Sequence, residues 1–184
     1  MKKLNVIILL ILGLVLCACG KQSKIHHAEI TVRGYGVIKV ELDGTAAPIT
    51  VENFVKLAKE GFYEGTTFHR IIDGFMIQGG APVNGRSAAT IKGEFSANGV
   101  ENPIKHEPGV ISMARAKDMN SASSQFFIMV GTSPHLDGSY AAFGRVTEGL
   151  EIVMKIAKDA RPTDNNGTIP KNEQPVIEKI VITD

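Results

Sequence analysis

Two polar side chains stand inside an apolar run. They are Arg70 and Gln78, in residues 67–80, TFHRIIDGFMIQGG. The run reads as two strands around an Asp73-Gly74 turn, and segments of that kind are normally core. Arginine keeps its charge and holds a planar fork of donors, and glutamine offers both an acceptor and donors. Phe75 and Met76 lie between or beside them; Gln125, Phe126, Phe127 and Leu136 follow further along. An apolar set with a few polar members is the composition of a pocket that orients its ligand by a few hydrogen bonds. Pattern alone leaves another account standing: Arg70 as a strand-edge ion pair with its stem on the core, and Gln78 and Gln125 as satisfied core amides. Phe126 and Phe127 are neighbours on a strand and point to opposite faces, so at most one of them faces a site.

Other chemistries lack their parts. The two cysteines are Cys17 and Cys19, both near the N-terminus. No serine sits in a G-x-S-x-G elbow, and Gly79-Gly80 is followed by no G-K-[ST]. His69 and His135 are possible bases, but no spacing pairs either with a nucleophile and an orienting acid. The adjacent His26-His27 read as solvated residues, and no histidine spacing matches a metal site, so no metal is expected.

The elements that must position Arg70 and Gln78 are mostly strands. Residues 28–33 and 37–42 form a hairpin around Gly34-Tyr35-Gly36. PITVENFVKLAKEG then changes period: Val51, Phe54, Val55 and Ala58 fall on one helical face, with Pro48 at its start and Gly61 past its end. Strands follow at 68–72 and 75–78. Residues 81–108 are rich in Gly, Asn, Ser and Pro and read as a long loop region with one short strand at most. GVISMA (109–114), QFFIMV (125–130) and AAFGRVT (141–147) read as strands. Leu150, Val153, Ile156 and Ala157 mark a second helix, and 176–183 a closing strand. Many strands, two helices and no βαβ rhythm point to an antiparallel sheet that closes on itself, with helices as plugs.

A chain of 184 residues holds one domain with a proper core. Its beginning reads differently. Lys2-Lys3 precede an apolar run over 4–16, about the length of a signal-peptide core and short of the roughly 20 residues of a spanning helix. The run ends in LCACG, which resembles a bacterial lipobox, with small Ala18 before Cys19. We expect a lipoprotein signal peptide over 1–18, lipidation of Cys19, a polar tether over 19–27 and the folded domain over 28–184. The protein would then sit outside the cytoplasm, lipid-anchored to the bacterial cell membrane. Cleavage removes both cysteine chemistry and Lys2 and Lys3, leaving 18 basic against 19 acidic side chains and a net charge of −1. Such a near-neutral domain has no general attraction for nucleic acid.

FHRIIDGFMIQGG, GVISMARA, SSQFFI and HLDGSYAAFG, in this order, resemble the cyclophilin family of peptidyl-prolyl cis/trans isomerases over residues 28–183. The resemblance implies a closed eight-stranded antiparallel β-barrel capped by two helices, active without a cofactor. It implies Arg70 as the catalytic arginine and Phe75, Met76, Phe127 and Leu136 as walls of a proline pocket. Gln78 would hold the arginine and the substrate backbone, Gln125 would line a neighbouring pocket, and Ala114, Arg115 and Ala116 would pair with the substrate backbone. Arg115 stands where eukaryotic members commonly have asparagine. His135 replaces a tryptophan and Tyr140 a histidine, both at the pocket rim. Implied partners are proline-containing segments of client proteins and, weakly, cyclosporin-type inhibitors; the domain is expected to be a monomer. A binding module that holds proline segments without turnover is the competing reading.

Overall fold

The computed structural model describes residues 25–184. The expected signal peptide, Cys19 and most of the tether lie outside them. Eight strands make one antiparallel sheet: β1 (Ile25–Val32), β2 (Gly36–Asp43), β3 (Phe68–Ile72), β4 (Met76–Gly79), β5 (Val110–Met113), β6 (Phe126–Met129), β7 (Ala142–Glu148) and β8 (Ile177–Ile182). Their order is β3-β4-β6-β5-β7-β2-β1-β8. Two helices cover it, α1 (Pro48–Lys59) and α2 (Leu150–Asp159).

The sheet curls into a barrel whose closure is partial, a correction to the closed barrel expected. The outer strands β3 and β8 share no ladder. The chain just before each of them joins through the bridge Thr67–Val176, with Phe68 N donating to Pro175 O at 2.9 Å and Ile177 N to Thr66 O at 2.8 Å. A second correction concerns the tether. Residues 25–27 belong to β1, with His26 opposite Leu42 and His27 opposite Glu41. Asp184 holds them there: its carboxylate accepts from the His27 amide at 2.7 Å and meets His26 Nδ1 at 2.7 Å.

Alternation along the strands yields two apolar layers. The barrel interior holds Ile30, Ile38, Val40, Leu42, Phe68, Ile71, Ile77, Ile111, Phe126, Ile128 and Phe143, with Val51, Phe54 and Val55 of α1 and Val153 and Ile156 of α2 plugged against them. A smaller cluster lies on the outer face of the β4–β6–β5–β7 sector: Met76, Phe127, Met129, Leu136 and Ala142, joined by Phe75 and Tyr140. Phe126 thus faces the interior and Phe127 the outer cluster, the split that strand geometry demands.

The beginning of α1 has no side-chain cap of its own. Glu94, 2% exposed, supplies one from the long loop region: its carboxylate accepts from Ile49 N at 3.0 Å, Thr50 N at 2.8 Å and Thr50 Oγ1 at 2.7 Å. A carboxylate there satisfies amides that a first helical turn leaves open and meets the positive end of the helix dipole. The loop region holds a 3-10 turn at Ser96–Asn98 and, where a short strand was thought possible, only the single bridge Ile91–Ala122.

Candidate active site

A bulge aims Arg70. The β3–β4 register runs Phe68↔Gly79 and then Arg70↔Gln78, so His69 is the extra residue. Unbroken alternation through His69 would put Arg70, two residues after Phe68, in the interior; the bulge turns Phe68 and Ile71 inward and Arg70 and Ile72 outward. The three-residue turn Asp73-Gly74-Phe75 that returns the chain needs Gly74, at φ 72°, and Asp73 accepts the Gly74 amide at 2.9 Å. Cross-strand pairing then sets Gln78 beside Arg70, and β6 sets Phe127 beside Gln78.

The guanidinium is held from two sides. Arg70 Nη1 donates to Gln78 Oε1 at 3.3 Å and lies 3.7 Å from Met76 Sδ. Arg70 Nε donates to the Asn166 carbonyl at 2.8 Å. Gln78 Nε2 donates in turn to Gln125 Oε1 at 3.0 Å. No carboxylate pairs with Arg70 among the described residues, so the strand-edge ion pair is not what this side chain makes.

Beside it opens a pocket of about 210 Å³ lined by Arg70, Phe75, Met76, Gln78, Ala114, Arg115, Phe127, Leu136 and Tyr140. That is below the roughly 300–1,000 Å³ of drug-sized ligand sites, a volume suited to one side chain. A second depression of about 320 Å³ shares Gln78, Ala114 and Arg115 and adds Ala116, Ser121, Ser123 and Gln125. A larger cleft, about 840 Å³ between the end of α1 and β8, shares no residue with either. Larger volume there brings no convergent chemistry.

Every expected site residue within the described chain falls at these two depressions, with one qualification. His135 is exposed and stacks outside on Phe75, ring centroids 5.9 Å apart at 29°, so it covers a wall without lining the pocket. Tyr140 meets Phe127 edge-on at 5.9 Å. The Arg115 side chain is engaged by protein: its guanidinium lies 4.8 Å from the Tyr140 ring centre and 5.1 Å from that of Phe95. It donates to Ser139 O at 3.0 Å and to Ala116 O at 2.9 Å. Gln125 O takes the Ala114 amide at 2.9 Å and Ser121 Oγ the Ala116 amide at 3.0 Å. Of these three residues, Arg115 is the one whose backbone amide has no hydrogen-bond acceptor among the described residues.

Two supports were not foreseen. Asn166 holds Arg70 by a main-chain carbonyl, which no side-chain pattern announces. His106 stacks behind Phe127 at 6.0 Å and 20°, its ring nitrogens 3.0 Å from Asp137 Oδ1 and 3.1 Å from Ser112 Oγ. Burial keeps its pKa below the ordinary imidazole value, against the pull of Asp137. His69, which sequence left as a possible base, has a buried Nδ1 without a hydrogen-bond partner among the described residues, and burial lowers its pKa as well.

A curled antiparallel barrel with an arginine and an apolar pocket on its outer face defines a class. The family model for cyclophilin type peptidyl-prolyl cis-trans isomerases matches residues 27–184. The chain belongs to this family. It is 48% identical over 123 residues to peptidyl-prolyl cis-trans isomerase B of Bacillus subtilis, covering 65% of this chain and 82% of that one. A peptidyl-prolyl cis-trans isomerase of Helicobacter pylori is 43% identical over 148 residues, covering 74% and 88%. A crystal structure of a Cryptosporidium parvum cyclophilin type peptidyl-prolyl cis-trans isomerase superposes with a TM-score of 0.74 at 30% identity, over 88% of this chain and 99% of that one. The same protein was also solved in the presence of the dipeptide Ala-Pro, and that structure matches with a TM-score of 0.69.

Proposed function

We propose that this chain is an extracytoplasmic foldase that speeds X–Pro rotation in secreted or surface proteins and is held at the membrane by lipid on Cys19. The observation that carries the catalytic part is the guanidinium of Arg70, fixed by Gln78 and Asn166 at the mouth of a small apolar pocket.

Rotating an X–Pro amide breaks no bond. It costs the C–N resonance, a barrier of about 18–20 kcal/mol, and the spontaneous event takes tens to hundreds of seconds. The proline ring enters between Phe75, Met76, Phe127, Leu136 and Tyr140, while the backbone of Arg115 and the Gln78 and Gln125 amides hold the flanking chain. As the bond twists, the proline nitrogen regains a lone pair. Arg70 donates to that lone pair, which the planar ground state does not offer, so the contact favours the transition state selectively. The twisted amide is also less polar than the planar one, and an apolar wall suits it. A thousandfold acceleration needs only about 4 kcal/mol. Such a reaction calls for no nucleophile and no proton shuttle.

A protease-coupled isomerisation assay on purified protein tests this. Wild type should turn over, and Arg70→Ala should lose tenfold or more while melting as wild type does. Equal turnover in a normally folded Arg70→Ala protein refutes the assignment, and collapse of the fold would make Arg70 structural. The anchor has a separate test. Metabolic labelling with a fatty-acid analogue should mark wild type and leave Cys19→Ser unmarked; label on the variant rules out Cys19.

A further inference from the structure

A single hydrogen bond would leave the Arg70 guanidinium free to swing; two on different edges fix its plane. The second is the Asn166 carbonyl, and Asn166 lies in a turn of exposed residues, 164–166. An exposed turn positions a cation only if something holds the turn. Here it is Asp164: Oδ1 accepts the Thr168 amide at 3.0 Å, Oδ2 accepts Thr168 Oγ1 at 2.8 Å, and the Asp164 carbonyl accepts the Gly167 amide at 3.1 Å. Thr163 N closes the turn on Thr168 O at 2.9 Å.

The turn docks on the strand that carries Arg70. Ile71 N donates to Gly167 O at 2.8 Å, and Ile169 N to His69 O at 3.0 Å. Gly167 permits the approach, since an added Cβ would stand 2.6 Å from Ile71 O and 2.5 Å from Ile72 Cγ1. With Nε and Nη1 engaged, Arg70 Nη2 has no protein acceptor among the described residues, and Arg70 lines the pocket.

We propose that Asp164 is a positioning residue for Arg70: its carboxylate shapes the 164–168 turn so that the Asn166 carbonyl fixes the guanidinium over the pocket. This rests on Arg70 being the group that stabilises the twisted amide. Asp164 touches no substrate, so its removal should lower kcat, roughly fivefold as judged from the sensitivity of catalysis to misplacement, and leave KM within about twofold.

A double-mutant cycle on the full protein reads this out, with residual turnover followed by exchange NMR at high enzyme concentration. Asp164→Ala should lower kcat in wild type and have no further effect on Arg70→Ala. Asp164→Asn, which keeps an acceptor for the Thr168 amide, and Thr168→Val, which loses only the Oγ1 donor, should each lose less; they carry the test if Asp164→Ala fails to fold. Equal fractional losses in both backgrounds, a rise in KM at constant kcat, or unchanged turnover in all three variants would overturn the proposal. Full turnover in Arg70→Ala alone would instead remove the reading beneath it, an outcome recognisable before the cycle is completed.

Discussion

Where the rim of the pocket ends in His135, a small, well-hydrated imidazole covers Phe75 from outside. An indole there would add apolar area and one donor. Burying histidine under an apolar macrocycle yields less contact and costs more desolvation. Cyclosporin should therefore inhibit this protein weakly. His135→Trp should tighten binding by about 1–3 kcal/mol, the scale of burying a large apolar side chain, with far less change in turnover on a small proline peptide. Titrating both variants during isomerisation checks this; equal inhibition constants would mean that His135 is not part of the inhibitor's footprint. Among single residues, Arg70 and Gln78 were legible because they interrupt an apolar run. The bulge at His69 that aims Arg70 was not, because alternation alone does not mark a one-residue insertion. Nor was Asn166, whose carbonyl reaches Arg70 across 96 residues of sequence.

Helix α1 combines a periodic apolar face, visible in the sequence, with a cap that was not. Its residues Val51, Phe54, Val55 and Ala58 are buried as their spacing implies. Glu94 comes from a stretch without periodicity, and only the fold brings it to the Ile49 and Thr50 amides. Removing a buried carboxylate with three donors leaves those donors without partners, so Glu94→Ala should lower stability by about 2 kcal/mol, and Glu94→Gln by less. Urea unfolding measures this; an unchanged midpoint for the alanine variant would mean that the carboxylate contributes nothing to α1. The β3–β4 hairpin was legible for a related reason, since its turn and pairing are local. The beginning of β1 was not, because residues 25–27 read as polar tether until Asp184 is placed beside them.

Taken as one body, the protein should be indifferent to pH in turnover and sensitive to acid in stability. The proposed mechanism moves no proton, and burial pushes the His69 and His106 pKa values below the ordinary imidazole value, so isomerisation should be nearly flat over about pH 6–8; a bell-shaped profile would contradict the mechanism. Stability has the opposite sensitivity. The unfolded chain protonates His69 and His106 near pH 6.5, whereas their buried rings in the fold resist until lower pH, so acidification below about 6.5 favours unfolding. Asp137 adds to this further down. Burial raises its pKa, but the His106 amide and imidazole and Lys105 outweigh that and hold it below the ordinary carboxylate value. Its contribution is present above about pH 3.9 and is lost as pH falls toward the folded value. Melting temperature should fall steadily from pH 7 to pH 4; a rise would reverse the assigned signs.

Strand β1 opens the barrel and β8 completes it, and their junction joins His26 to Asp184 across 158 residues. A ribosome delivers β1 long before its partner exists. Until β8 emerges, one edge of β1 stays unpaired, and the interior behind it cannot be sealed. For a chain exported as proposed, this delay would be an advantage: the growing polypeptide would stay export-competent until its last strand arrives.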